Sequence, residues 1–312
     1  MQLIRGQAQL PRRHDRCAVT IGTYDGLHLG HQALIARTRS HAERLGCPAV
    51  MLTFEPMPRE FLSPESPPAR LTTFRERWRI LEDSGLDYLW VLRFDEALRN
   101  LSAQDFALLL KSRLRPSVVV VGHDFRFARR GEATAPVLAA AGRALGFEVE
   151  VVPAVTQDGE RISSSGVREA LAGGDFERAR RWLGRPYSMR GRVIGGKRLG
   201  RELGFPTANL ALGRARAPVA GIFAVQVHGV ASGALPGVAS LGTRPTVGGL
   251  EALLEAHLFD FSDDLYGREI AVEFAAKLRD EQRFATLDAL VEQMQRDAAD
   301  ARAILEAGRG SS

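Results

Sequence analysis

Apolar runs and helical patterns alternate through residues 17–183 of the chain. The apolar runs predict strands at 17–21, 49–54, 88–94, 117–122 and 147–152. Helices are predicted between them at 29–45, 74–84, 102–114 and 136–145, and after them at about 165–172 and 175–183. Continuously apolar strands separated by helices are typical of a parallel sheet that is covered on both faces. This part of the chain is therefore predicted to be an α/β domain.

The pattern changes near Gly184-Arg185-Pro186, where helical patterns give way to short alternating segments. These predict strands at 188–194, 221–228, 235–241, 253–260 and 269–276, followed by a helix at about 286–306. Short strands punctuated by Gly and Pro indicate an antiparallel barrel or sandwich, here with a terminal helix. We place the boundary after residue 184, which predicts an N-terminal domain of residues 1–184 and a C-terminal domain of residues 185–312.

The composition is ordinary for a globular protein, with 45% of the 312 residues hydrophobic and 25% charged. No apolar run approaches the ~20 residues that cross a bilayer, and the N-terminus does not resemble a signal peptide. We therefore expect a cytoplasmic protein without a membrane partner, and its two cysteines as buried reduced thiols. The net charge of +5 is compatible with nucleic acid, but no Lys/Arg-rich run is interleaved with aromatic residues, so we expect no nucleic-acid partner.

The first motif, Gly22-Thr23-Tyr24-Asp25-Gly26-Leu27-His28-Leu29-Gly30-His31, links the strand at 17–21 to the helix at 29–45. A glycine-rich turn that opens a helix directs backbone N–H groups and the positive end of the helix dipole at an anion. His28 and His31 are three residues apart, so both imidazoles face the first turn and can donate hydrogen bonds to phosphate oxygens. The alternatives are a helix cap with two incidental histidines, and a zinc site for which no third ligand is evident.

A second glycine-rich segment spans residues 191–204. Its glycines are Gly191, Gly195, Gly196, Gly200 and Gly204, and its cations are Arg192, Lys197, Arg198 and Arg201. A flexible basic loop of this kind can wrap a triphosphate. It leads into Phe205-Pro206-Thr207-Ala208-Asn209, where Thr207 and Asn209 face the same way if the segment is extended. Their oxygens suit Mg²⁺ held by ATP phosphates, although a simple turn is the alternative.

The N-terminal half resembles the nucleotidyltransferase superfamily, and more specifically the FMN adenylyltransferase module of bacterial bifunctional riboflavin kinase/FAD synthetases. The match rests on His28-Leu29-Gly30-His31 and on the segments 52–56, 68–73, 121–127 and 162–168. It implies a Rossmann-like fold in which His28, His31 and Arg168 are catalytic. The residues it implies for nucleotide binding are Gly22, Tyr24, Asp25, Gly26, His28, His31, Asp124, Ser163, Ser164 and Arg168, the last three as a second phosphate clamp.

The C-terminal half resembles riboflavin kinase through the run Gly200-Arg201-Glu202-Leu203-Gly204-Phe205-Pro206-Thr207-Ala208-Asn209. The segments 221–225, 237–246, 254–261, 265–267 and 277–281 match the same family. By this resemblance Glu255 is the catalytic base, on a strand face shared with His257 and Phe259, and we interpret His257 as packing near the site. The resemblance also implies that residues 277–281 and Phe284 form a flap near the flavin. The residues implied for nucleotide binding are Gly195, Lys197, Gly200, Gly204 and Thr207, and those for the metal are Thr207 and Asn209.

The two resemblances together predict an enzyme that phosphorylates riboflavin with ATP to FMN, and then adenylylates FMN with ATP to FAD and pyrophosphate, using Mg²⁺. The residue types fit, because a primary alcohol benefits from a base, whereas a phosphate monoester with a second pKa of ~6 is already mostly a dianion at neutral pH.

Three alternatives stay open. Tyr24 stands where the family usually has Phe, Ala128 stands where it usually has Gly, and the loop 128–132 is slightly short, which allows a riboflavin kinase with an impaired adenylyltransferase site. The His-x-Gly-His signature also occurs in class I aminoacyl-tRNA synthetases. A flavin-binding or RNA-regulatory protein is the third alternative, and the sequence leaves the oligomeric state open.

Overall fold

The computed structural model describes residues 1–6, 10–11, 14–195, 203–246 and 249–309. The chain divides into two compact units. The first consists of Met1–Pro68 and Arg77–Ser163, and the second of Ala69–Glu76 and Ser164–Ser312. A short segment from the N-terminal half, Ala69–Glu76, therefore packs as part of the second unit.

The strands before residue 164 are β1 (Gln2–Arg5), β2 (Cys17–Ile21), β3 (Ala49–Glu55), β4 (Tyr88–Arg93), β5 (Pro116–Gly122), β6 (Arg126–Phe127), β7 (Ala133–Thr134), β8 (Glu148–Val152), β9 (Thr156–Gln157) and β10 (Glu160–Arg161). The helices are α1 (Leu29–Leu45), α2 (Pro58–Leu62), α3 (Phe74–Glu82), α4 (Glu96–Arg99), α5 (Ala103–Leu114) and α6 (Ala135–Leu145), with a 3-10 turn at Arg129–Gly131. The five strands and four helices predicted here are confirmed, with ends that differ by at most two residues. The edge strand β1, which pairs in parallel with β4, was not predicted.

The first unit is built on a six-stranded parallel sheet with the order β1-β4-β3-β2-β5-β8. All five residues of the central strand β2 are buried, which requires cover on both faces of the sheet. Because β3, β2 and β5 are neighbours and parallel, the turns that follow them meet at one edge. Ligands of open α/β sheets bind at this carboxyl edge, and it is where the first motif lies.

The second unit contains the remaining elements. The strands are β11 (Ser188–Ile194), β12 (Ala208–Ala211), β13 (Gly221–His228), β14 (Leu235–Thr246), β15 (Gly249–Leu258) and β16 (Glu269–Arg279), and the helices are α7 (Ser164–Ala172), α8 (Phe176–Leu183) and α9 (Leu287–Arg309). The strands close into an antiparallel barrel in the order β11-β12-β15-β14-β13-β16. The barrel, rather than a sandwich, and the terminal helix are therefore confirmed. Strand β12 is an addition to the five strands predicted from the sequence.

Aromatic side chains pack helix α8 against the barrel strands. The ring of Phe274 on β16 lies edge-on to Phe223 at 5.1 Å and is stacked with Phe176 of α8 at 6.0 Å. Helix α9 packs on the barrel through Ala301 and Leu305, which share a buried cluster with Ala224 and Phe259. Burial of these apolar surfaces is the main source of stability for the unit.

A buried ion pair holds Ala69–Glu76 within the second unit. The guanidinium of Arg214 pairs with Glu76, and both side chains are buried. Arg214 also donates to the backbone carbonyl of Arg70 (3.0 Å), and Tyr187 Oη donates to that of Leu71 (3.2 Å). Since an unpaired buried charge is costly, these contacts specify the position of the segment.

Two sequence predictions concern cysteines and membranes. Both cysteines are free thiols; Cys17 is buried, and Cys47 is half-buried. Burial raises the pKa of the Cys17 thiol. In the described part of the chain, no helix is long and apolar enough to cross a membrane.

Candidate active sites

His28 and His31 form the start of helix α1. His28 is the N-cap in an extended conformation, and the backbone N–H of His31 donates to His28 Nδ1 at 3.3 Å. Their rings are stacked, with centroids 3.7 Å apart. The sequence prediction that both imidazoles share the first turn of the helix therefore agrees with their positions. They lie where the positive end of the helix dipole favours an anion.

Three glycines give this turn its shape. A Cβ atom on Gly30 would lie 3.1 Å from the ring of His28, so only glycine leaves full room for that ring. Gly26 has a φ of +81°, in the left-handed region that favours glycine. Tyr24 and Asp25 are buried, and the ring of Tyr24 would lie 3.1 Å from a Cβ atom on Gly22. The motif is therefore a tightly packed turn in which the histidines are oriented before any ligand binds.

His31 is held in its neutral form. Burial lowers its pKa well below the ordinary value, and the nearby His28 and Arg77 lower it further. Its Nδ1 is buried and has no hydrogen-bond partner among the described residues. A neutral imidazole can donate one hydrogen bond to a phosphate oxygen without adding a full charge.

Arg77 is a residue of this site that the sequence analysis missed. It lies on α3 and is buried, yet it belongs to a helical pattern in which arginine is usually exposed. Its Nη1 donates to the carbonyl of Thr23 (2.7 Å), and its Nη2 pairs with Glu55 (2.7 Å) at the carboxyl end of β3. A buried arginine that holds a glycine-rich turn has no signal in the local sequence.

Asp124 and Ser163 lie at the same edge of the sheet. Asp124 follows β5 and forms an exposed ion pair with Arg161, which the sequence analysis also missed. The carbonyl oxygen of Ile162 lies 3.9 Å from the position of a Cβ atom on Gly30, so Ser163 follows directly after a residue beside α1. Both residues belong to the first unit, and Ser163 lies beside the start of the histidine helix α1.

Ser164 and Arg168 belong to the second unit, on helix α7. The Nε of Arg168 donates to the carbonyl of Ala69 at 2.6 Å. Their role as part of a second phosphate clamp stays a prediction.

The loop that departs from the family pattern is a small hairpin. Strands β6 and β7 pair antiparallel around the 3-10 turn Arg129–Gly131. Ala128 has φ +65° and ψ −173°, a conformation that is essentially restricted to glycine. The replacement of the family's usual glycine is therefore accommodated with backbone strain.

The second site lies on the barrel. Asn209 on β12 is directly opposite Glu255 on β15, and Glu255 is in turn opposite Ser240 on β14. Residues directly opposite on antiparallel strands project to the same face of the sheet. Glu255 lines an apolar pocket of about 290 Å³ whose other walls include Phe205, Phe284, Leu290 and Met294. The predicted flap residue Phe284 is therefore part of this pocket.

A second, more polar pocket of about 590 Å³ is lined by Asn209, Asp263 and Asp264. Thr207 lines both pockets. The arrangement is suited to a reaction between two substrates, with a flat apolar one beside Glu255 and a polar one beside Asn209. The sequence analysis missed both aspartates, which lie in an ordinary-looking loop.

Two of the remaining predicted nucleotide-binding residues of this site are glycines at described positions. Gly195 follows β11, and Gly204 has a φ of +83°. Lys197 and Gly200 lie outside the described residues. His257 Nδ1 is 2.8 Å from the carbonyl oxygen of Pro206, and its ring meets Phe205 edge-on at 5.2 Å.

An ion pair joins strand β16 to helix α9 at the wall of the apolar pocket. Arg279 Nη2 pairs with Asp297 at 2.6 Å, and Arg279 Nε donates to both oxygens of the same carboxylate. Gln293 Nε2 donates to Asp297 Oδ1 at 2.8 Å. Arg279 belongs to the predicted flap segment, but Asp297, 18 residues further along the chain, was not predicted.

Within the described ranges, no group of three His, Cys, Asp or Glu side chains could hold a metal ion. Thr207 and Asn209 offer neutral oxygens, which suit a cation whose charge is largely balanced by nucleotide phosphates.

Comparison with known proteins relates the two sites to established families. The family model FAD synthetase matches residues 10–166, and the family model riboflavin kinase matches residues 183–305. The chain belongs to the bifunctional riboflavin kinase/FMN adenylyltransferase family. A member from Escherichia coli (strain K12) is 44% identical over 304 residues, which cover 97% of each chain. One from Pseudomonas fluorescens is 46% identical over 306 residues, which cover 97% of this chain and 98% of the relative.

A solved structure shares the fold of the chain described above. The crystal structure of a protein described as a macrolide-efflux protein from Streptococcus pneumoniae matches 95% of this chain and 97% of that chain, with a TM-score of 0.80 and 31% sequence identity. The function in that description belongs to that protein and is not carried over.

Family membership confirms the predicted enzyme class. The chain carries both an FAD synthetase region and a riboflavin kinase region, which supports the hypothesis of two activities over that of a kinase alone.

Proposed function

We propose that this chain phosphorylates riboflavin at the Glu255 site and adenylylates FMN at the His28–His31 site. The observation that carries the kinase assignment is that Thr207 lines both pockets of the barrel, the apolar one with Glu255 and the polar one with Asn209. Riboflavin in the apolar pocket and ATP in the polar pocket would meet at this residue.

In the kinase reaction, the terminal hydroxyl oxygen of riboflavin attacks the γ-phosphorus of ATP and ADP leaves. Glu255 accepts the hydroxyl proton, which makes a weak nucleophile effective. Backbone N–H groups of the glycine-rich segment 195–204 and its Lys197 are proposed to neutralise charge on the transferred phosphoryl group. Mg²⁺ bound with ATP would be held by the oxygens of Thr207 and Asn209, and it would neutralise phosphate charge.

In the adenylyl transfer, a phosphate oxygen of FMN attacks the α-phosphorus of ATP and pyrophosphate leaves. FMN is already mostly a dianion at neutral pH, so no base is needed. The ring of His28 and the neutral ring of His31 would instead donate hydrogen bonds to the phosphate oxygens as charge develops on them. Gly22, Tyr24, Asp25, Gly26, Asp124 and Ser163 are further proposed nucleotide-binding residues of the first unit.

The proposal extends to the domain limits, the cellular location and the binding partners. Residues 1–184 form the adenylyltransferase domain and residues 185–312 the kinase domain. The protein acts in the cytoplasm on riboflavin, FMN and ATP, without a nucleic-acid or membrane partner.

Labelled ATP tests the proposal. Label in the γ-phosphate is expected to appear in FMN when riboflavin is supplied, and label in the α-phosphate is expected in FAD when FMN is supplied. Absence of the α-label from FAD, with γ-label in FMN, would leave only the kinase.

A further inference from the structure

Arg77 is a buried cation beside the first site that the proposed adenylyl transfer does not use. Only 2% of its surface is exposed. Its Nη1 donates to the carbonyl of Thr23 at 2.7 Å, and its Nη2 pairs with Glu55 at 2.7 Å. A guanidinium is a planar fork of donors, so one side chain can hold a backbone turn and a carboxylate in a fixed relation.

The contact between Arg77 and Thr23 is connected to His31 through the next residue, Tyr24. Thr23 precedes Tyr24, which has a φ of +52° and therefore needs its neighbours to hold it in place. The hydroxyl of Tyr24 is 2.5 Å from Thr20 Oγ1 on β2, and its ring meets the ring of His31 edge-on at 5.0 Å. The turn is thus fixed from two sides, by the sheet through Thr20 and by α3 through Arg77.

The charge of Arg77 acts on the same histidine. The rings of His28 and Tyr24 contact the ring of His31, and the guanidinium of Arg77 is close enough for its charge to lower the pKa of His31. Burial raises the pKa of Tyr24, so its hydroxyl stays protonated and supplies no negative charge. Arg77 therefore adds to the burial that keeps His31 neutral. A neutral imidazole that donates to a developing oxyanion is a known catalytic arrangement.

We propose that Arg77 is a positioning residue for adenylyl transfer, which holds the turn at Thr23 so that Tyr24 fixes the ring of His31. This inference rests on the adenylyl transfer proposed for the first site. Arg77 does not touch the nucleotide in this account; it acts through the turn.

The test compares three variants of the full-length protein. Arg77→Gln removes the charge and the fork, Arg77→Lys keeps the charge but not the fork, and Arg79→Gln is the control, since Arg79 is an exposed arginine on the same helix. Formation of FAD from FMN and ATP is measured as kcat and KM, and formation of FMN from riboflavin is measured on the same samples. The kinase rate reports whether the second unit of each variant is folded, and a KM for FMN close to that of the wild type reports whether the first unit is.

Arg77→Gln is expected to lower kcat for FAD formation by about 10- to 100-fold. A displacement of a catalytic group by ~1 Å can cause a loss of this size. Arg77→Lys is expected to lose about tenfold, because an ammonium cannot hold Thr23 and Glu55 as a fork does. The kinase rates of Arg77→Gln and Arg77→Lys are expected to stay within about twofold of the wild-type rate. Arg79→Gln is expected to keep both FAD formation and FMN formation within the same limit.

A second readout separates positioning from general damage. The pKa of His31 is measured in an NMR titration, in which the His31→Asn variant identifies the signal of His31. This pKa is expected to rise in Arg77→Gln and to stay low in Arg77→Lys. The inference is overturned if Arg77→Gln forms FAD at the wild-type rate. It is also overturned if Arg77→Gln loses FAD formation and FMN formation equally. If Arg77→Gln does not fold, full FAD formation in Arg77→Lys overturns it. If the wild type itself makes no FAD, the proposed function fails instead.

Discussion

Asn209 and Glu255 are directly opposite each other on the neighbouring strands β12 and β15. Side chains in such a pair have Cβ atoms ~4.5–5.5 Å apart on one face of the sheet. A proposed metal ligand and a proposed base are therefore fixed by the register of the barrel rather than by flexible loops. Rigid strands place catalytic groups more accurately than loops do.

Glu255→Gln is expected to lower the kinase kcat by about 10²- to 10⁴-fold, the contribution of a general base. The amide has nearly the same shape but cannot accept the hydroxyl proton. FAD formation from supplied FMN is expected to be unchanged, because that reaction is proposed for the first unit and Glu255 lies in the second. Glu273→Gln on β16 is the matched control, because that carboxylate pairs with His228 and does not line either described pocket. A kinase rate for Glu255→Gln equal to that of Glu273→Gln would contradict the assignment.

Asn209→Ala is expected to raise the Mg²⁺ concentration that gives half the maximal kinase rate by about tenfold, the factor that a lost interaction of about 1.4 kcal/mol produces. The KM for riboflavin is expected to change little, since Asn209 lines the polar pocket and not the apolar one. Initial rates across a Mg²⁺ titration at fixed ATP measure this. An unchanged Mg²⁺ dependence would remove Asn209 from the proposed metal site.

His28→Asn is expected to lower FAD formation by about 10²- to 10³-fold, as when one donor to a developing oxyanion is lost. Asparagine can still cap α1 through its side-chain oxygen, so the helix is expected to remain. The same sample is expected to phosphorylate riboflavin at the wild-type rate. A loss of both activities would indicate damage to the fold instead of the loss of a phosphate contact.

Ala128→Gly is expected to stabilise the protein by about 1 kcal/mol, since φ +65° with ψ −173° is a glycine conformation that costs alanine strain. Differential scanning calorimetry measures the effect, which is expected as a rise of about 2–4 °C in the Tm of the affected transition. A lower Tm would mean that Ala128 is not strained. FAD formation by the variant shows in addition whether the strained hairpin limits the rate.

The sequence predicted elements that carry their own pattern. Strand β2 and helix α1 were predicted to the residue, because a continuous apolar run and a glycine turn specify them locally. Strand β12 was not predicted, since its four residues become a strand only by pairing with β11 and β15. A segment this short has no period of its own from which pairing can be inferred.

The same distinction holds for the sites. His28 and His31 were predicted because they share one motif, and Glu255 because it lies in a segment that resembles a family. Arg77 and Arg161 were missed because their partners, Glu55 and Asp124, are 22 and 37 residues away in the chain. The sequence around an arginine in a helix or a hairpin does not show which distant residue it contacts.

The most direct test of two activities on one chain is a time course of the pure protein with riboflavin, ATP and Mg²⁺, followed by chromatography of the flavins. FMN is expected first, and FAD is expected to follow as FMN builds up. FMN that accumulates without any FAD would contradict the account of the first site, and the absence of any flavin nucleotide would contradict both.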